Sequence, residues 1–276
     1  MTSVKHAPHN WISTIAFRLF RRKMQSLSAT YWTFQLGIHA VQERLQGVNG
    51  DKMVVHEIKP PFNLGMLPED ADTFLSGVDE RCGIHRLHLL VVGMATLEAY
   101  LKDSIRLHVA GLGHANGIEK LDEVGKAIAA PVSRRSTVPS MVDYAGHLLG
   151  IDFQPVMPDL ERAYKLRCAA AHNGGVATTR TLEEVTDLGI ALGSVICLDW
   201  EHLRKYLKTI DRVASHVDSR VAKAPARYLE IEWLLHQLKK DKALPDKPKL
   251  WMWLAQAYGV PSMPVTKRRE IERSVY

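Results

Sequence analysis

The chain has 276 residues and a formal net charge of +6; 46% of the residues are hydrophobic and 24% are charged. This composition supplies enough apolar side chains for a sizeable core and excludes a wholly disordered chain, while the modest positive charge favours an anionic partner. The cysteines Cys82, Cys168 and Cys197 are far apart, so neither a disulfide framework nor a cysteine zinc site is expected, and a cytoplasmic protein without a membrane-spanning helix is predicted.

Residues 1–70 are predicted to form an N-terminal extension that consists of a basic helix and a loop. The helix should cover Trp11–Gln46, with Ser26–Ala29 as the place where it would break. No acidic residue precedes Glu43, which is also typical of a transit peptide, but a basic surface helix is the preferred interpretation. The β-branched residues of KMVVHEI favour a short strand, and the prolines of KPPFNLGMLPED favour a loop.

Residues 71–222 are predicted to form a helical bundle. One long helix is expected over Ala71–Val109, since apolar residues repeat there at spacings of three and four. Two shorter helices should follow it: Ile118–Ala130 and Ser140–Leu149. The next helix has signals at both ends, because Pro158 suits a first turn and the two glycines after Asn173 suit a stop.

The segment TLEE has the pattern of a capping box, with Thr181 as the N-cap and Glu184 three residues later. It predicts a long helix that reaches Val221. Residues 223–276 should form a C-terminal helical pair followed by a basic tail. Trp251 and Trp253 would stack on nucleic-acid bases or pack within the helical pair, and packing is the preferred interpretation. Strand signals are scarce, so the predicted fold class is all-α, a helical bundle with helical extensions at both ends.

The stretch KLRCAAAHNGG, at the end of the helix that starts at Pro158, is the candidate for chemistry. Arg167 and His172 are five residues apart, which separates their side chains by roughly 140° on an ideal helix. Both would border one cleft if the helix frays at its glycine stop. The residues between them are small, so another helix can approach closely. Taken singly, an arginine, a histidine and an Asn-Gly pair are also ordinary features of a helix end.

LRCAAAHNGG resembles the R-x(4–6)-H motif of the HEPN superfamily (higher eukaryotes and prokaryotes nucleotide-binding domains). Upstream, VVGMATLEAYLKDSI is similar to the family's helix that carries an acidic residue before an aromatic one, and a capped helix follows the motif, as in family members. The resemblance covers roughly Asp79 to His216. It implies a HEPN-like bundle of four or five helices, paired as a homodimer, with two arginines and two histidines in one cleft at the interface.

Many HEPN proteins are metal-independent endoribonucleases of toxin–antitoxin, abortive-infection or antiviral systems. The resemblance therefore implies RNA as the substrate, a second copy of the chain and an antitoxin or other defence protein as partners, and no cofactor or metal. His172 would exchange protons with the ribose 2′-OH and the leaving oxygen, while Arg167 would hold the phosphate. Other members have lost catalysis and bind nucleotide, RNA or protein, and this alternative stays open.

Three further residues are assigned to the site by the resemblance. Asn173 would orient the motif histidine or bond a phosphate oxygen, although a helix cap is an equal interpretation. Glu98 would hold the motif guanidinium, or form an ordinary i,i+4 pair with Lys102. Cys168 stands where the family often has Asn, Asp or His, and because a thiol is a poor hydrogen-bond partner, it favours the non-catalytic alternative.

Other polar clusters are weaker candidates. His85 and His88 form an HxxH pattern on a helix, but without a third ligand nearby, solvated or half-buried histidines are preferred to a metal site. Several basic residues would steer RNA through its backbone charge, with solvated surface as the default interpretation: Arg18, Arg21, Arg22, Arg134, Arg135, Lys267, Arg268, Arg269 and Arg273.

Overall fold

The computed structural model describes residues 13–54, 57, 70–111, 137–185, 190–222, 224–260 and 262–275. Within these residues the secondary structure is helical apart from two isolated β-bridges, and the predicted all-α class is confirmed. The α-helices are α1 (Ile15–Leu45), α2 (Ala71–Ser76), α3 (Val78–Val109), α4 (Val138–Leu149), α5 (Met157–Asn173), α6 (Thr179–Glu184), α7 (Trp200–Val221), α8 (Ala224–Lys240), α9 (Leu250–Tyr258) and α10 (Val265–Val275).

The described residues form two compact units. The terminal unit consists of the described residues within Met1–Lys23, Thr96–Met157 and Ile210–Tyr276. The motif unit consists of the described residues within Met24–Ala95 and Pro158–Thr209. The helices α1, α3 and α7 each contribute one segment to either unit. The division into domains at residues 70 and 222 stays a prediction.

One buried cluster of the terminal unit is built largely from the C-terminal helices. It contains Ile15, Ile231, Leu235, Leu250, Leu254, Val260, Met263 and Ile271. Trp251 and Trp253 pack against this cluster, as predicted from their sequence context. The basic tail is itself helical, since it forms α10, and the guanidinium carbon of Arg268 lies 5.5 Å from the ring centroid of Trp251.

Two buried carboxyl groups hold the start of α1. Glu230 of α8 accepts hydrogen bonds from the backbone N–H groups of Ile15 and Ala16, both at 2.7 Å. Asp218 of α7 accepts from the backbone N–H of Thr14 at 3.0 Å and from its hydroxyl at 2.6 Å. The first N–H groups of a helix have no partner within the helix. Side chains from two other helices therefore satisfy the donors at this helix start.

In the motif unit, α5 buries one narrow face. Leu160, Ala163, Leu166 and Ala169 are buried at spacings of three along it. The helix ends as predicted, because Gly174 and Gly175 adopt φ values of 61° and 79° and the N–H of Gly175 donates to the carbonyl oxygen of Ala169 at 3.3 Å. A left-handed backbone of this kind is accessible to glycine without a steric penalty. The sequence KLRCAAAHN therefore forms the last turns of a well-stopped helix.

The prediction of a single long helix from Thr181 to Val221 is wrong. The short helix α6 has Thr178 as its N-cap, whose hydroxyl accepts from the N–H of Thr181, and α7 begins only at Trp200. The intervening chain turns at Gly193, whose φ is 78°. It then runs extended back to the end of α5, and the N–H of Ile196 donates to the carbonyl oxygen of Gly175 at 2.7 Å. Tertiary hydrogen bonds and β-branched residues override the helical pattern here.

Smaller differences concern the first half of the chain. The predicted helix over Ala71–Val109 is two helices, because α2 ends at Gly77 and α3 starts at the next residue. No break occurs at Ser26–Ala29, since α1 is continuous there. In place of the predicted KMVVHEI strand, the described residues show an isolated bridge between Met53 and Asp70. The expected helix Ile118–Ala130 lies outside the described residues.

Candidate functional site

The arginine and the histidine of the motif differ in their surroundings. Arg167 is half-buried, and its guanidinium carbon lies 5.8 Å from the ring centroid of Tyr164, one turn earlier on α5. His172 is exposed in the last turn. Neither side chain makes a hydrogen bond or an ion pair with another described residue of the motif unit. Both functional groups are therefore available to a ligand or to a second protein chain.

An exposed apolar surface continues from the end of α5. The backbone N–H of Val176 donates to the carbonyl oxygen of Asn173 at 3.1 Å, which places this surface directly after the motif. Val176 and Val195 oppose each other in an antiparallel bridge, so their side chains project from the same face. They are 36% and 38% exposed, and Leu192 beside the turn is 64% exposed. We call Val176, Leu192 and Val195 the apolar patch.

The sequence did not reveal this patch. Leu192 and Val195 follow the apolar periodicity that predicted one helix through this region, and on such a helix both would face a core. The chain instead folds back, because the N–H of Ala177 donates to the carbonyl oxygen of Ser194 and the N–H of Gly193 donates to that of Ala177, both at 2.9 Å. The available signal was Gly193 itself, which disfavours a helix interior.

Three secondary candidates occupy ordinary environments. Asn173 is exposed in the last turn of α5, where it serves as the final helical residue before the glycines. Cys168 is half-buried, and it is a free thiol. Glu98 forms the i,i+4 ion pair with Lys102, at 2.6 Å between Oε1 and Nζ. The expected contact between Glu98 and the motif guanidinium stays a prediction.

The HxxH pattern on α3 does not form a metal site with other described residues. The ring of His85 stacks on Phe34 with centroids 4.0 Å apart, and burial lowers its pKa, aided by the nearby charges of His88 and Arg86. His88 is exposed. Within the described ranges, no group of three or more His, Cys, Asp or Glu side chains is placed to hold a metal ion. The structure thus gives His85 a packing role.

Three arginines near the start of α1 interact with other residues of the terminal unit. Arg21 forms an ion pair with Asp211 at 2.6 Å, and Arg22 donates to the carbonyl oxygen of Ala257. Burial lowers the pKa of Arg18, although the negative charge of nearby Glu230 acts to raise it. Each of these three arginines thus has a contact within the protein, and RNA steering by them stays a prediction. Arg134 and Arg135 lie outside the described residues.

A histidine–carboxylate pair that was not among the sequence-based candidates lies at the start of α7. Asp199 Oδ2 lies 2.7 Å from Nδ1 of His202, and Oδ1 of the same carboxylate accepts from the backbone N–H of His202 at 2.8 Å. The sequence signal that could have indicated this pair is the spacing D-x-x-H at the start of a helical pattern. Because the carboxylate caps the helix, the pair is explained by the helix start.

Two further findings concern membrane spans and similarity to known proteins. In the part of the chain that the structure describes, every helix is too short or too polar to cross a membrane. Comparison of the chain with protein-family models, with curated proteins and with solved structures gave no match. The case for a function therefore depends on the residues at the end of α5 and on the surface that surrounds them.

Proposed function

We propose that the protein is a metal-independent endoribonuclease of the HEPN type, active as a homodimer in which the ends of two α5 helices form one cleft. Each chain would supply Arg167 and His172. A defence or toxin–antitoxin role, with RNA as the substrate, follows from the same proposal.

The proposed reaction uses the RNA as its own nucleophile. One imidazole takes the proton of the ribose 2′-OH, and the oxygen attacks the adjacent phosphorus. The bond from phosphorus to the 5′ oxygen breaks, and the imidazolium of the second chain gives that oxygen a proton. The products are a 2′,3′-cyclic phosphate and a 5′-hydroxyl end. The two Arg167 guanidinium groups hold the phosphate oxygens and stabilise the added negative charge.

One observation carries the proposal: His172 is exposed on the last turn of α5 and is followed directly by the apolar patch. An imidazole without a hydrogen bond or ion pair to another described residue of its unit is available for proton transfer. Exposed apolar side chains beside a functional group commonly mark a surface where another chain binds. A second copy docked on Val176, Leu192 and Val195 would bring its own motif close to the first and would exclude water from the cleft.

Catalytically inactive binding is the second candidate. It is favoured by Cys168, which cannot match the hydrogen bonding of the Asn, Asp or His that often follows the family's arginine. It is favoured also by Glu98, which is engaged by Lys102 at 2.6 Å. A module of this kind would bind RNA or a partner protein at the end of α5 without turnover.

The test is cleavage of a labelled single-stranded RNA in the presence of EDTA. We expect the wild type to produce 2′,3′-cyclic phosphate ends. Replacing His172 with alanine should lower the rate by about 10²- to 10⁴-fold, the usual contribution of a general acid or base. His39→Ala is the matched control, because His39 is an exposed histidine that lies on α1 rather than on α5 and pairs with Glu43 at 3.3 Å.

The outcomes separate the candidates. Equal cleavage by His172→Ala and the wild type would refute the assignment of this histidine. RNA binding that depends on Arg167 but gives no cleaved product would instead establish the binding module.

A further inference from the structure

An aromatic cluster in the motif unit joins α1 to the start of α7. The rings of Tyr31 and Trp200 stack with their centroids 4.8 Å apart and an interplanar angle of 13°. Trp32 contacts both rings, at 5.1 Å from Tyr31 and at 5.8 Å from Trp200 between centroids. Tyr31 is buried, whereas Trp32 is 53% exposed. We call Tyr31, Trp32 and Trp200 the aromatic platform.

The ring of Trp32 is held by its neighbours without being covered by them. Its plane makes an angle of 70° with the ring of Tyr31 and of 58° with that of Trp200, so neither ring stacks in parallel on it. Such edge and tilted contacts still fix the orientation of an aromatic ring. Because the ring is already oriented and about half of it is exposed, it can stack on another flat π system at a small cost in conformational entropy.

The surface of α1 around Trp32 carries no formal charge. The sequence has no Asp, Glu, Lys or Arg between Lys23 and Glu43. Leu36, one turn after Trp32, is 67% exposed, and a Cβ added at Gly37 would have no neighbouring atom within 4 Å. An open and uncharged surface of this kind favours a flat uncharged group, such as a nucleobase, over a phosphate.

Basic side chains continue the aromatic platform along α7. Trp200, Arg204 and Lys208 follow one another at spacings of four, which places them in a row along one side of the helix. Arg204 forms an ion pair with Glu201 at 2.7 Å. The row leads from the aromatic rings to cations. This order matches the alternation of bases and phosphates in a nucleic acid strand.

The other acidic side chains near this row are also paired. Oδ2 of Asp199 lies 2.7 Å from Nδ1 of His202, and Asp159 of α5 pairs with Lys205 at 2.7 Å. Lys208 is exposed and forms no ion pair with another described residue. Lys208 is therefore the cation of the row that is available to a phosphate.

The aromatic platform lies within reach of the motif. The N–H of Ile196 donates to the carbonyl oxygen of Gly175 at 2.7 Å, just after the end of α5. The chain from Ile196 to Trp200 advances by four residues, which span at most about 14 Å. A strand of a few nucleotides that is bound at His172 is therefore long enough to reach the platform.

We propose that the aromatic platform binds an unpaired base of the RNA substrate, a few nucleotides from the cleaved bond, while Lys208 binds a phosphate of the same strand. The proposal rests on the proposed function, which makes RNA the substrate. The base stacks on the open ring of Trp32. Because the bases of a duplex are already stacked on one another, the platform selects single-stranded RNA.

The test is the binding of a fluorescein-labelled single-stranded RNA of about 10 nucleotides, a length in the usual range of single-strand sites, measured by fluorescence anisotropy. The protein carries His172→Ala, so that the strand stays intact and binding is measured apart from cleavage. In this parent protein, Trp32→Leu should weaken binding about 5- to 100-fold, the effect of losing one base–aromatic stack. Trp32→Tyr keeps an aromatic ring and should retain most of the affinity. Tyr144→Ala is the control, because Tyr144 is an exposed aromatic residue of α4 in the terminal unit.

Two further measurements separate the contact with the base from the contact with the phosphate. Lys208→Ala should reduce the slope of log K against log salt concentration by about 0.7, the value for one phosphate of a single strand. A strand of the same length without bases should bind the parent protein and Trp32→Leu equally. The RNA annealed to its complement should bind more weakly than the single strand, and its binding should not depend on Trp32.

The proposal is wrong if Trp32→Leu, shown to be folded by circular dichroism, binds the single strand as tightly as the parent protein, or if the duplex binds as tightly as the single strand. An equal loss of affinity in Trp32→Tyr and Trp32→Leu would contradict stacking, and an unchanged salt slope in Lys208→Ala would refute the phosphate contact. Failure of the nuclease assignment looks different, because the strand would then bind in a Trp32-dependent way but would not be cut by the wild type.

Discussion

Replacement of Glu230 with glutamine should alter how the stability of the protein depends on pH. Burial raises the pKa of Glu230 from its ordinary value of 4.5 to about 7, although the N–H groups of Ile15 and Ala16 bond the carboxylate. The folded protein therefore retains this proton between pH 4.5 and 7, where the unfolded chain has released it. The resulting contribution to stability is complete below pH 4.5 and is lost as the pH rises through 7.

The size of the effect follows from the two pKa values. The interval from 4.5 to about 7, at about 1.4 kcal/mol per pH unit, corresponds to about 3 kcal/mol. A glutamine amide stays uncharged throughout, and like the protonated carboxyl group it offers a carbonyl oxygen to the helix start. The free energy of unfolding of Glu230→Gln should thus gain about 3 kcal/mol relative to the wild type between pH 4.5 and pH 8.

The assay is urea denaturation of both proteins at several pH values from 4.5 to 8, with linear extrapolation to water. Other titrating groups contribute equally to the two proteins and cancel in the difference. Glu201→Gln is the control, because the side chain of Glu201 is 69% exposed in its pair with Arg204, and its difference from the wild type should stay flat. A flat difference for Glu230→Gln would refute the reasoning.

Three further predictions concern the motif unit. Arg167→Ala should abolish specific RNA cleavage while leaving the far-ultraviolet circular dichroism spectrum unchanged, because the guanidinium lies over the ring of Tyr164 on the same helix and does not hold another element in place. Retained cleavage would exclude a role in holding phosphate. Leu192→Asp should convert the proposed dimer of this protein to a monomer in sedimentation velocity. Leu36→Asp is the control and should leave the dimer intact, because Leu36 is a leucine of α1 that is 67% exposed. The proposed interface is wrong if both variants sediment alike. Gly83→Ala should destabilise the protein by about 1–3 kcal/mol in thermal or urea unfolding, because the new Cβ would lie 2.6 Å from Cβ and 2.9 Å from Cα of Cys197. Gly37→Ala is the control: its new Cβ would have no neighbouring atom within 4 Å, so it should be neutral or slightly stabilising.

The sequence predicted helices well where local signals and tertiary packing agree. The bounds of α5 followed from Pro158 and the glycines after Asn173, because each of these signals acts within one turn of the helix end. The class of the fold followed from repeated apolar spacings and from the scarcity of strand signals. Helix ends and apolar spacings depend on residues that are close together in the sequence, so one amino-acid sequence is enough to predict them.

The misassigned region between Thr181 and Trp200 shows where local reasoning fails. Its apolar residues have helical spacing, but the N–H groups of Ala177 and Ile196 find acceptors in residues about twenty positions away along the chain. No local pattern encodes those bonds. The apolar patch was missed for the same reason. The exposure of His172 agrees with its expected position in the last turn of α5, although that turn is helical to Asn173 and does not fray.

The extended segment that pairs with Gly175 and Ala177 also implies a route by which a protease would inactivate the protein. The backbone bonds of this segment restrain Gly175 and Ala177, just after the end of α5, and so they fix the direction in which the chain leaves His172. Cleavage of the single peptide bond between Leu192 and Gly193 would fall outside the described helices, yet it would free the restraint at one end. Suppose that activity is lost after this cleavage while the helical content is retained. The position of the His172 side chain would then depend on the extended segment that follows α5, and not on α5 alone.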